Sequence, residues 1–221
     1  MSVGTVVIAE TTLLANAIRT APHARVRTYP TWNLAQLGRH VGEIHGWATG
    51  IVRDGATERP SRAKLTDVGD NEIAGVLHVG AAALAEVLDS CDPAASVWTF
   101  AGDGTNAFWR RRMLLETTIH RWDAEDAVGQ LSGVDDQTAL DGLAECVAVY
   151  LEPNLSAWTL STSGAAVTAT DGSFRCTVSG GPLETWLFVM GRRRLAGMEV
   201  TGDMGTATRF AEAIAAVRGP A

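Results

Sequence analysis

The sequence predicts an α+β protein in which a helical N-terminal unit precedes a smaller unit of strands and helices. Two observations carry this. From residue 5 to about 151, apolar residues recur mainly at three- and four-residue spacing, the period of helices that each bury one face. Beyond Pro153 the stretches become short, β-branched and separated by Gly or Asp-Gly, the pattern of paired strands. The expected domains are therefore 1–152 and 153–221. At 221 residues and 46% hydrophobic content, the chain has enough apolar material for a sizeable core without covalent staples.

The first helix, about 5–20, carries Val6, Leu13, Leu14, Ala17 and Ile18. The second, about 32–53, carries Leu34, Leu37, Val41, Ile44, Ala48 and Val52, and Pro30-Thr31 mark its start. A polar stretch containing Arg and Pro, 54–68, is a long loop before a third helix at about 70–90 that stops near Asp92-Pro93. "GDGTN", 102–106, is a turn capping a fourth helix at about 106–128, and a fifth spans about 136–151, ending before Pro153. In the second unit "WTLST", "AVTATD" and "FRCTVSG" are strands with a hairpin turn at Asp171-Gly172. Residues 182–191 form a helix, "GMEVTGD" a strand, and 204–218 a closing helix.

The net charge of −7, from 18 basic and 25 acidic residues, argues against a nucleic-acid partner, because sequence-independent affinity for phosphates comes from clustered cations. Cys91, Cys146 and Cys176 lie far apart and form no CxxC pair, so neither a disulfide framework nor a thiolate metal knuckle is expected, and a reducing cytoplasm fits best. No basic start leads into an apolar segment and no run of 18 apolar residues appears, so neither an export signal nor a membrane partner is expected.

The chemistry concentrates in "LLETTIHRW", 114–122. Four helical residues advance by about 400°, so Glu116 and His120 stand one turn apart on nearly the same face. Alone, the pair fits either a metal-binding face or a buried, hydrogen-bonded histidine. Bundle metal sites draw further donors from neighbouring helices. "LGRHVGEIHGWATGIV", 37–52, offers His40 and His45, whose directions differ by roughly 140°, so they cannot both enter one site. His40 shares the side of Leu37, Val41 and Ile44 and is the better candidate. His45 is expected to be an interfacial, water-touching imidazole that lines a pocket or packs.

"YPTWNLAQLGRHVGEIHGWATGIV" together with "FWRRRMLLETTIHRWDAEDAVG" resembles the mycothiol-dependent maleylpyruvate isomerase family, whose N-terminal domain is a DinB-like four-helix bundle. Pro30, Trp32 and His40 occupy places of the family's first motif, and Arg111, Arg112, Met113, Glu116, Thr117, His120, Arg121, Trp122, Asp123, Ala124 and Glu125 those of its second. Leu115 departs from a histidine frequent before the glutamate, and Tyr29 and Thr31 from the commoner Cys and Gly.

The resemblance implies that His40, Glu116 and His120 hold a divalent metal, zinc in characterised relatives, with positions open for catalysis. It implies mycothiol as thiol cofactor or co-substrate, a small electrophilic metabolite as substrate, and an isomerase or S-transferase reaction. It also implies that the C-terminal unit is a small sterol-carrier-protein-like α/β domain. On that footing Asp123 accepts the other ring N–H of His120, His45 and Asp123 are the candidates to face the cofactor, and Arg112 and the Arg192–Arg194 run are candidates for carboxylate binding. Two histidines and one carboxylate also suit non-haem iron. A thiol-independent metalloenzyme and a non-catalytic metal- or ligand-binding module stay open beside the thiol enzyme.

Overall fold

The computed structural model describes residues 1–218. Its first compact unit, Met1–Ser132, is a four-helix bundle of α1 (Val3–Thr20), α2 (Leu34–Asp54), α3 (Ile73–Ser90) and α4 (Asn106–Val128). α1 and α2 each pack on both α3 and α4. The connection into α4 holds a hairpin of β1 (Ser96–Thr99) and β2 (Gly102–Thr105).

Local chemistry sets the ends of these helices. α2 begins after Asn33 rather than at Pro30-Thr31, because Asn33 and Gln36 exchange side-chain and backbone hydrogen bonds of 2.9 Å in a capping box. It ends at Gly55, whose φ of +58° is the left-handed conformation that glycine adopts without strain. "GDGTN" is not simply a turn. Gly102 to Thr105 pair with β1, and the chain reverses at Phe100-Ala101, where the Thr99 hydroxyl donates to the Gly102 carbonyl at 2.6 Å.

The apolar contacts of the bundle fall into two layers. One joins Leu34, Leu37 and Val41 of α2 to Leu14, Ile18, Ile73, Leu77 and Ala124. The other joins Ala48, Ile51 and Val52 of α2 to Val7, Leu84, Leu88, Trp109 and Met113. The mid-portions of α2 and α4 lie between them. α3 is long and apolar enough, by length and composition, to cross a membrane. In this bundle its apolar side, including Ile73, Leu77, Leu84 and Leu88, is buried, and it packs on α1 and α2.

α4 is buried at every position from Leu115 to Glu125. Its charges must therefore find partners, since an unpaired buried charge is strongly destabilising. Arg121 donates from Nε to Glu10 on α1 and from Nη1 to Glu125, both at 2.8 Å, and to the Ser132 hydroxyl at 2.7 Å.

The second compact unit begins at Gly133. α5 (Asp136–Glu145) is capped by Asp135, whose side chain accepts from Thr138 N. The helical run continues through π-helical Cys146–Leu151 into α6 (Glu152–Asn154). It therefore passes Pro153 instead of ending before it, and stops within two residues of that proline. The compact division falls at Ser132/Gly133 rather than at the expected 152/153, because α5 packs on α7 (Pro182–Val189). Gly142 lies so near the Trp186 ring that an added Cβ would collide with it.

The sheet runs β3 (Trp158–Ser163), β4 (Ala166–Asp171), β5 (Phe174–Ser179) and β6 (Glu199–Gly202), every neighbour antiparallel. The expected hairpin forms at Gly172 between β4 and β5. Val167, Ala169, Cys176 and Val178 are fully buried, while α8 (Met204–Arg218) packs on β4 and β5 and carries buried Phe210.

Arg121→Leu leaves Glu10 and Glu125 without their shared cation. The expected cost is about 3–5 kcal/mol, read as a lower urea-unfolding midpoint. An unchanged midpoint would show that the Arg121 network adds nothing to stability.

Candidate metal centre

The polar side chains of α2 and α4 meet between the two apolar layers. His40 Nε2 stands 3.3 Å from Glu116 Oε1, and His120 Nε2 stands 3.1 Å from that same oxygen. The donor atoms of His40, Glu116 and His120 all lie within 4.8 Å of one another. The other oxygen of Glu116 accepts from the Arg112 guanidinium, one turn earlier on α4. His120 Nδ1 faces Asp123 Oδ2 at 3.0 Å, and Thr28 donates to Asp123 Oδ1 at 2.9 Å.

The electrostatics follow from burial and partners. Burial alone would lower the His120 pKa, but the Glu116 charge and the Asp123 hydrogen bond raise it to about 9. Burial likewise opposes the charge of Glu116, yet the Arg112 charge and the two histidines hold its carboxyl well below the ordinary range. At neutral pH His120 therefore keeps its proton, next to the ionised Glu116.

The donor set suits a divalent metal. At ligand bonds of about 2.0–2.2 Å, neighbouring donors stand about 3 Å apart in an octahedron and about 3.4 Å in a tetrahedron. The 3.1 and 3.3 Å separations fall in that range. The carboxylate–histidine pair Asp123–His120 is the outer support that fixes ring orientation in such sites. Arg112 leaves only one Glu116 oxygen facing the histidines.

Of the residues singled out from sequence, His40, Glu116, His120 and Asp123 come together. Arg112 is buried and turned onto Glu116, so it supports a donor instead of presenting itself to substrate. Arg192 belongs to the second unit, where Nη1 donates to the Met190 carbonyl. His45 is not water-touching. It is fully buried, and Nε2 meets Thr117 Oγ1 at 2.9 Å. Because the Thr117 hydroxyl donates to the Met113 carbonyl at 2.7 Å, it must accept from His45, so Nε2 carries the proton. Nδ1 is buried without a hydrogen-bond partner among the described residues. Burial pushes the His45 pKa down to about 4, so the ring is neutral at physiological pH.

Sequence reasoning assigned no role to Thr28, Tyr29 or Trp32. The Trp32 ring lies 5.2 Å from His40 and stacks on Tyr29 at 4.9 Å, and Tyr29 lies 6.1 Å from His120. Their signal was the aromatic pair in "YPTW", a stretch already picked out but with no partner visible in the chain order.

A family model described as the mycothiol maleylpyruvate isomerase N-terminal domain matches residues 7–125, more than half of the chain and inclusive of all three donors. No curated protein and no solved structure matches the chain.

The folded pKa of His120, about 9, lies above the ordinary 6.5. In chelator-treated protein its contribution to stability is therefore complete below about 6.5 and disappears as the pH rises through 9. Zinc competes with that proton, so zinc affinity rises over the same interval. Thermal unfolding and zinc titration across the interval should show opposite trends, and parallel trends would refute the assignment. Asp123→Asn should weaken zinc binding about 10–100-fold while the circular dichroism of the helices stays unchanged.

Proposed function

The chain belongs to the mycothiol maleylpyruvate isomerase N-terminal domain family, and from that membership we propose that it is a zinc-dependent enzyme that uses mycothiol on a small electrophilic metabolite, either isomerising it or transferring the thiol to it. The observation that carries this reading is the convergence of His40, Glu116 and His120 on one point within the matched segment. A divalent cation held there would supply the charge that keeps a thiol as its thiolate at neutral pH.

The chain's own residues prepare that point. Arg112 fixes the Glu116 carboxylate. Asp123, itself held by Thr28, orients His120 by accepting a hydrogen bond from its Nδ1–H, so that Nε2 can act as a donor atom. The two apolar layers exclude water on either side. In the isomerase reaction the thiolate adds to an electron-poor double bond, and the electron pair moves onto the adjoining carbonyl. Rotation about the new single bond and expulsion of the thiolate return the other geometric isomer with the thiol regenerated. In the transferase reaction a proton completes the adduct instead. A reducing cytoplasm suits either use of a free thiol.

The test is turnover of maleylpyruvate and of generic electrophiles by purified protein, with and without mycothiol, alongside metal analysis of protein prepared without chelator. About one zinc per chain is expected, with activity requiring mycothiol and lost in His120→Ala and Glu116→Gln. Activity indifferent to mycothiol would replace the thiol reading with thiol-independent metal chemistry. Stoichiometric iron with oxygen-dependent turnover would overturn the zinc assignment.

A further inference from the structure

His40 is the most open of the three donors, with a side chain 26% exposed against 11% for Glu116 and 5% for His120. It borders a cleft of about 240 Å³ whose other walls are Trp32, Gln36, Arg39, Glu43, Arg62 and Lys64. Ligand pockets for drug-sized molecules run from about 300 to 1,000 Å³, so this cleft suits a small metabolite.

Its lining sets three cations, Arg39, Arg62 and Lys64, against one carboxylate, Glu43. Arg39 is occupied, since Nη2 donates to Asp70 and to the Val68 carbonyl. Glu43 binds the loop over the cleft, accepting from Lys64 Nζ at 2.9 Å and from Leu65 N at 3.1 Å. Burial works against its charge, but the Leu65 N–H and Lys64 hold its carboxyl below the ordinary range, so it stays ionised. Arg62 is different. Its Nε stands 3.8 Å from Glu43 Oε2, and among the described residues its guanidinium makes no hydrogen bond. A guanidinium offers five donors in a planar fork that matches a carboxylate bidentately. Trp32 adds an aromatic wall to the same cleft, its ring 5.2 Å from the His40 ring.

We propose that this cleft is the subsite for a carboxylate of the electrophile: Arg62 grips it, Lys64, paired with Glu43, offsets the repulsion of that carboxylate, and Trp32 covers the planar carbon skeleton that leads to His40. The identity of the bound molecule as the electrophile rests on the enzymatic reading above, whereas the anion subsite stands on the cleft alone. Arg62 and Lys64 then select for acids, and both come from 54–68, the long polar loop between α2 and α3.

The test is calorimetric titration of zinc-loaded protein with maleate and with its uncharged dimethyl ester. Arg62→Gln is expected to weaken maleate about 10–100-fold, with Arg62→Lys intermediate and Lys64→Gln adding a smaller loss. Affinity for the ester and zinc content should stay at wild-type values. Unchanged maleate binding in the Arg62→Gln/Lys64→Gln double variant would overturn the subsite, as would an equal loss for the ester, which would mark a general collapse of the cleft. The two readings separate cleanly. If the double variant binds maleate normally while zinc and mycothiol dependence hold, the subsite fails alone. If those dependences fail while Arg62→Gln still discriminates against the acid, the enzymatic reading fails alone.

Discussion

A helix buried all round has to neutralise its own charges, and α4 does so with a chain of alternating signs. Arg112, Glu116 and His120 follow at intervals of one turn, and Asp123 continues the stripe. Each group satisfies the next: guanidinium on carboxylate, carboxylate on imidazole, imidazole on carboxylate. A second stripe, Arg121 and Glu125, closes on Glu10 and Ser132. In a medium of low dielectric constant, removing one member exposes the desolvation penalty of its neighbours. The bundle is organised around this requirement. α1 sends Glu10, α2 sends His40, and the segment before α2 sends Thr28, each to a charged group on α4.

α4 carries two kinds of charge which residue order alone treats alike. Arg121 and Glu125 belong to the family-like motif as firmly as His120 does, yet they join α1 to the end of the bundle and face away from the donor cluster's chemistry. Arg112 stands between the two roles, since it is structural in its burial and functional in what it holds. Beside them, His45 and Thr117 fill the same polar layer with a neutral pair. The layer thus has a charged side that opens towards Trp32 and a neutral side that is sealed.

Much of this was legible from residue order, for physical reasons. α4 announces itself because Asn106 to Val128 keeps helical spacing with no proline, and the Glu116–His120 interval fixes their common face whatever else packs there. The rotation between His40 and His45 correctly forbade both from joining one cluster. It could not tell which would be sealed, because that depends on Thr117 from another helix. The hairpin at 96–105 was missed because glycines that break a helix can equally sit in a tight two-stranded ribbon, and only pairing with Val97 and Thr99 distinguishes them. The start of α2 was missed by reading proline as the signal when the reciprocal Asn33–Gln36 bonds decide it. The allegiance of α5 was invisible for a different reason. Its apolar period says that one face is buried, not against what, and Gly142 under Trp186 is a contact across 44 positions of chain.

His40 lies 76 residues before Glu116, so an ion gripped by both α2 and α4 closes a long loop of chain. Loop-closure entropy grows only slowly with length, but the bridge would persist until a ligand bond breaks. Occupancy would therefore act on how long the bundle survives between openings: separation of the two helices becomes coupled to ion escape, and chelator concentration becomes a handle on lifetime.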